Sequence, residues 1–179
     1  MFKIFGKKKI KEDVVANIFV NSILNTIDNG FPEIVGIIND ASEFTVSPKI
    51  SLNNDDCFTL IVFAANLSYI PQHLHDSQDE RIMNLIYTKL SNVFDVDQEK
   101  FENVIKDYQC YLSKANHPSK NMLYAMSKGI FGKYNLNDYQ DEYFKNMSSP
   151  NPMFLKRLDE AMDNFVWNWD SFKQQYQIS

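Results

Sequence analysis

The sequence predicts an all-α fold: a single compact, bundle-like domain of about six to eight helices. Apolar residues recur at three-and-four spacing in segment after segment. Between those segments stand Asn, Asp, Ser and Pro, the residues at which helices start and stop. Only five glycines occur in 179 residues, too few for the tight turns of a sheet-rich fold of this length. Apolar side chains make up 44% of the chain and aromatics 14%, ample material for a core. The length suits one helical domain over 11–179, with 1–10 a flexible basic tail.

A first helix is expected over 11–28, with Val15, Ile18, Phe19, Ile23 and Ile27 on one stripe. Asn29-Gly30 reads as its stop, and Pro32 as the first turn of a second, shorter helix carrying Ile34, Val35, Ile37 and Ile38. Residues 41–53 read as a loop broken by Ser47-Pro48, within which Phe44-Thr45-Val46 can pair briefly as an extended segment. The helix expected at 55–70 is apolar around most of its circumference and should lie at the centre of the domain. Asn54, Asp55 and Asp56 suit its positive end, and Pro71 should end or kink it.

Ser77-Gln78-Asp79-Glu80 has the form of a capping box, opening a helix with Ile82, Leu85, Ile86, Leu90 and Val93. Another begins near Asp97 and carries Phe101, Val104, Ile105, Tyr108, Tyr111 and Leu112. Asn116-His117-Pro118 separates it from a helix with Met122, Leu123, Met126 and Ile130, ended near Gly132. Asp138 to Met147 reads as a short Tyr-rich helix. Pro152 then opens a last one, running through Leu158, Phe165 and Trp169 to Phe172. No internal repeat of solenoid period is present.

The formal charge of −5 is unevenly spread. Lys3, Lys7, Lys8, Lys9 and Lys11 fall within 1–11 without an acid, leaving 13 basic against 23 acidic residues in the rest. Arg81 and Arg157 are the only arginines. Such a body matches phosphate backbones poorly, so no nucleic acid is expected among its partners. The lysine-rich start, interleaved with Phe2, Ile4 and Phe5, suits a weak peripheral contact with anionic lipid. No apolar run is long enough to span a membrane, and the first residues lack the apolar stretch of a secretory signal. A cytoplasmic protein is expected, with Cys57 and Cys110 as reduced, buried thiols. The abundance of Asn, Lys and Ile suggests an AT-rich bacterial genome.

Reaction motifs are scarce. Di-metal bundles place Glu three residues before His on one helix face, but the residues three before His73, His75 and His117 are Ile70, Gln72 and Lys114. His73, His75, Asp76 and Asp79 form an alternative set of zinc-type ligands around the Pro71 break. They read more simply as a polar loop and a helix start, so no cofactor is expected. Glu160 and Asp163 have one spacing used to hold Mg²⁺ but lack a matching acidic helix. No phosphate loop, nucleophile elbow or paired-Cys motif occurs.

Aromatic residues crowd the last third. Tyr139, Tyr143, Trp167, Trp169 and Tyr176 are the candidate contact residues, since large rigid rings favour interfaces. Trp167 and Trp169 cannot face the same way on one helix, because two residues turn it by about 200°. The expected function is therefore a non-catalytic interaction protein that binds a protein partner, a basic one in particular, through an acidic and aromatic surface. An adaptor, a regulatory subunit and an immunity or antitoxin-like protein fit this description equally. The alternative is a small helical enzyme or small-molecule binder using His73, His75 and Asp76.

Overall fold

The structure is a computed structural model that describes residues 7–179. Eight α-helices dominate the described residues: α1 (Glu12–Asn39), α2 (Asp56–His73), α3 (Gln78–Phe94), α4 (Gln98–Asn116), α5 (Met122–Lys133), α6 (Glu142–Met147), α7 (Pro152–Met162) and α8 (Trp169–Gln175). Two 3₁₀ turns, Leu136–Tyr139 and Asp163–Phe165, join the later ones. The fold is all-α, as the periodicity predicts. Helix α2 is its axis: every residue from Ile61 to Leu67 is buried, and α1, α3, α4 and α5 pack around it. Fully burying each of its Phe, Ile and Leu side chains stabilises the fold by about 1.5–3 kcal/mol. The helix runs two residues past Pro71 to His73. Asp55 stands at its N-cap without a side-chain capping bond.

The expected stop at Asn29-Gly30 does not occur: α1 is one helix of 28 residues. Its apolar stripe keeps phase across the proposed break, through buried Ile23, Ile27, Phe31, Ile34 and Ile38. Pro32 is tolerated on the exposed side. Gly30 serves packing rather than termination, since a Cβ there would lie 2.6 Å from Cζ of Phe165. The Asn29 side-chain carboxamide donates to the Asn25 carbonyl at 2.7 Å, one turn back in the same helix.

Two later elements differ from expectation. The last helix is not continuous: α7 ends at Met162, and α8 starts at Trp169. Asn66, 1% exposed on α2, donates to the Phe165 carbonyl at 2.8 Å and accepts from the Trp167 N–H at 2.7 Å. It thereby takes the place of helical bonds across the break. The expected helix over 138–147 is also divided, into the 3₁₀ turn Leu136–Tyr139 and α6, and the side chain between them reaches the next break, before α7. Buried Gln140 donates to the Ser149 carbonyl at 2.8 Å and accepts from the Asn151 N–H at 2.7 Å.

The capping box is not formed. Ser77 adopts φ +60°, and its side chain makes no capping bond. Residues 8–10 are not a tail: β1 (Lys8–Ile10) pairs in parallel with β2 (Tyr176–Ile178), Lys8 opposite Tyr176 and Ile10 opposite Ile178. Residues 1–6, including Phe2, Lys3, Ile4 and Phe5, lie outside the described residues. Both cysteines are free, but only Cys57 is even half-buried, and Cys110 is exposed on α4. Both arginines are tied in ion pairs, Arg81 with Glu12 at 2.8 Å and Arg157 with Glu43. No helix of the described residues is long and apolar enough to cross a membrane.

Candidate functional site

The five aromatic candidates do not form one surface. Trp169 is core, 1% exposed; it stacks on Phe19 with ring centroids 5.7 Å apart and also meets Phe172 and His73. It cannot be a contact residue while it stays there. Trp167 sits in the break before α8, half-buried, with its ring against Phe19 and Phe172. Tyr176 tilts over Phe172 at 4.9 Å. Trp167 and Tyr176 thus border one groove, alongside α1. Tyr139 belongs to another cluster, against Phe44, and Tyr143 is 68% exposed beside Phe144.

The loop set is also dispersed. His73 ends α2 with its Nδ1 3.8 Å from Asp170, and its ring lies over Trp169. Desolvation by its neighbours, and then the nearby Lys173 charge, hold the imidazole below its ordinary pKa, against an opposing pull from Asp170. His75 and Asp76 are exposed in the turn, and Asp79 lies in the first turn of α3. Among the described residues no three His, Cys, Asp or Glu side chains are gathered as metal ligands would be. That includes the pair Glu160 and Asp163.

A different surface emerges at the turn between α3 and α4. Val93, Phe94, Val96 and Val104 are all exposed there, Val96 by 44%. Phe94, Val96 and Val104 adjoin Leu60 and Phe101 around a depression of about 370 Å³. Phe94 stacks flat on Phe101, centroids 5.7 Å apart, so the ring is held out at the rim. Asp55 and Asp56 border the depression on the α2 side, while Asp95, Asp97 and Lys100 line an adjoining depression that shares Val96, Phe101 and Val104. The turn itself is well specified. Asp97 caps α4 by accepting from the Lys100 N–H at 3.0 Å, and Asp95 takes φ +51° at the end of α3.

Neither a protein family, a curated protein nor a solved structure matches the chain. The surface has therefore to be read from its own chemistry. Reading Val93 and Val104 as members of core stripes hides it. The missed signal is Val93-Phe94-Asp95-Val96-Asp97. Adjacent helical residues point about 100° apart, so Val93 and Phe94 cannot both share the narrow buried face of α3.

A third cluster surrounds Cys57. The Tyr108 hydroxyl donates to its Sγ at 3.5 Å, and the Tyr134 hydroxyl donates to the Asn54 carbonyl at 2.6 Å. Lys133 Nζ stands 4.4 Å from the Tyr108 ring centre and 4.9 Å from that of Tyr111. Burial pushes all three phenols above their ordinary range, so they are un-ionised donors at neutral pH. They tie α4 and α5 to the start of α2.

Proposed function

We propose that the protein is a binding protein whose partner contributes a basic, amphipathic segment to the corner between α3 and α4. One observation carries this reading: Phe94, Val96 and Val104 stand exposed together at two adjoining depressions bordered by four carboxylates. Exposed apolar groups gain by being covered, and the carboxylates select a cationic rim over an acidic one. The acidic excess of the chain favours the same partner at long range. An aromatic surface made of the five C-terminal rings is not part of this reading, because Trp169 is core and the others fall into separate clusters.

The test uses a synthetic helical peptide with a Leu and Phe stripe and flanking lysines, beside a control in which the lysines are glutamates. The basic peptide should bind with backbone NMR shifts centred on residues 93–104 and weaken as salt rises. Val96→Ser with Val104→Ser should reduce affinity at least ~10-fold, about 1.4 kcal/mol. Asp56→Asn with Asp95→Asn should reduce the salt dependence. Equal binding of the acidic control, or shifts centred elsewhere, would refute the reading.

A further inference from the structure

The chain carries a basic, amphipathic segment of its own. Residues 2–5 read Phe-Lys-Ile-Phe, and Lys7 follows after Gly6. The corner between α3 and α4 calls for this chemistry. It needs apolar side chains to cover Val96 and Val104, and cations to meet the four aspartates around them.

The fold separates this segment from the corner of its own molecule. Lys7 borders a depression together with His73, the last residue of α2, and Gln78, the first of α3. Asp56, the first residue of α2, and Phe94, the last of α3, border the corner at the opposite end of the same two helices. The 18 residues of α2 span about 27 Å, and the 17 of α3 about 25 Å. A fully extended chain covers at most about 3.5 Å per residue. Phe5 therefore lies within about 7 Å of Lys7, and even Phe2 within about 18 Å. Pairing of β1 with β2 fixes Lys8 behind them. The three apolar side chains of the segment thus cannot cover the corner to which they are covalently joined.

We propose that residues 2–5 seat in the corner of a second copy of this chain. This rests on reading the corner as the site of a basic, amphipathic segment, and it names the source of that segment. Each copy offers the donor at one end and the acceptor at the other. Two copies laid antiparallel fill both corners at once and close as a two-fold pair. Phe2, Ile4 and Phe5 cover the exposed valines, while Lys3 and Lys7 stand among the aspartates. Outside residues 1–11 each copy has 13 basic against 23 acidic residues, so the bodies repel one another. The lysine-rich start is the part of the chain that offsets this repulsion, which ties association to that end.

Two complementary variants test the pair in the whole chain. Phe2→Ser with Phe5→Ser removes the donor and keeps the corner. Val96→Ser with Val104→Ser removes the corner and keeps the donor. In sedimentation velocity the parent should self-associate reversibly and less tightly as salt rises. Either variant alone should associate at least ~10-fold more weakly. Mixed together, the two variants should regain association, to a level below that of the parent because one contact of the two is restored. A ¹⁵N-labelled donor variant should then show shifts centred on residues 93–104 when the unlabelled corner variant is added. If it takes the synthetic basic peptide there but not the second copy, this inference alone is overturned. If it takes neither, the reading of the corner falls as well. A parent that stays monomeric up to about 1 mM overturns the pair in two further ways. Shifts at residues 93–104 that differ from the donor variant at every concentration would mean seating within one molecule. Capture of the parent, and not of the donor variant, on phosphatidylserine vesicles would assign the segment to lipid.

Discussion

The corner between α3 and α4 is built largely from one contiguous stretch, residues 93–104, and needs only the start of α2 beside it. The groove beside α8 is built from segments some 140 residues apart in sequence, 18–26 and 164–176, the second of them held by a single amide on α2. The first is charged and rests on short-range helix geometry. The second is neutral and rests on a long-range hydrogen-bond network. The corner should therefore tolerate single changes to its lining, whereas the groove should collapse when one remote residue is lost.

The largest separation is expected from Asn66→Ala. Removing the amide strands the Phe165 carbonyl and the Trp167 N–H, each buried group costing about 1–3 kcal/mol. Urea unfolding should show a loss of about 3 kcal/mol, summed over the two groups. Tryptophan emission should shift to the red, while the folded fraction still binds the basic peptide at the corner. Loss of peptide binding in step with the groove would mean that the two regions are not independent.

Gly30→Ala should come next. Its Cβ would meet the Phe165 ring, and overpacking of this kind costs about 1–3 kcal/mol. The damage should again be read at the tryptophans and not at residues 93–104. A melting temperature equal to that of the parent would show that Phe165 can move aside freely.

At the corner, Val96→Ser with Val104→Ser should change stability by no more than about 0.5 kcal/mol per site, as for exposed positions without packing roles. Its effect should fall on peptide affinity alone. A loss of stability well beyond that would make the exposed valines structural.

The smallest effect concerns pH. Desolvation holds the folded-state pKa of His73 down, so the stability it contributes is fully present above the unfolded value of about 6.5. That contribution is lost as pH falls from there through the folded value. Unfolding midpoints followed by tryptophan emission should decline slightly from pH 7 to pH 5, and His73→Gln should flatten the decline. An unchanged slope in His73→Gln would assign it to other groups.

The same contrast explains what the sequence could reveal. Helix α2 is legible because apolar residues cover most of its circumference, and α4 because Asp97 and the stripe from Phe101 to Leu112 agree with each other. The breaks are illegible because their cause lies far away. Nothing local to residues 163–168 signals that Asn66 will take over their backbone bonds, and Gly30 looks like a stop until Phe165 is known to lie over it. Tyr139, Tyr143, Trp167, Trp169 and Tyr176 were recognisable as an aromatic excess, but their division between core, groove and surface depends on those same breaks. The exposed corner was obscured for the opposite reason: Val93 and Val104 fit a helical period well enough to pass as core.

The parallel pairing of Lys8–Ile10 with Tyr176–Ile178 has a consequence for biogenesis. Contacts of such extreme sequence separation are closed late. Strand β1 cannot be seated until residues 176–178 have left the ribosome and α8 has docked. Until then, Ile10 lacks the strand partner that it has in the folded domain. Seating this strap is the step that covers Ile10, while Lys8 and Lys9 stay exposed.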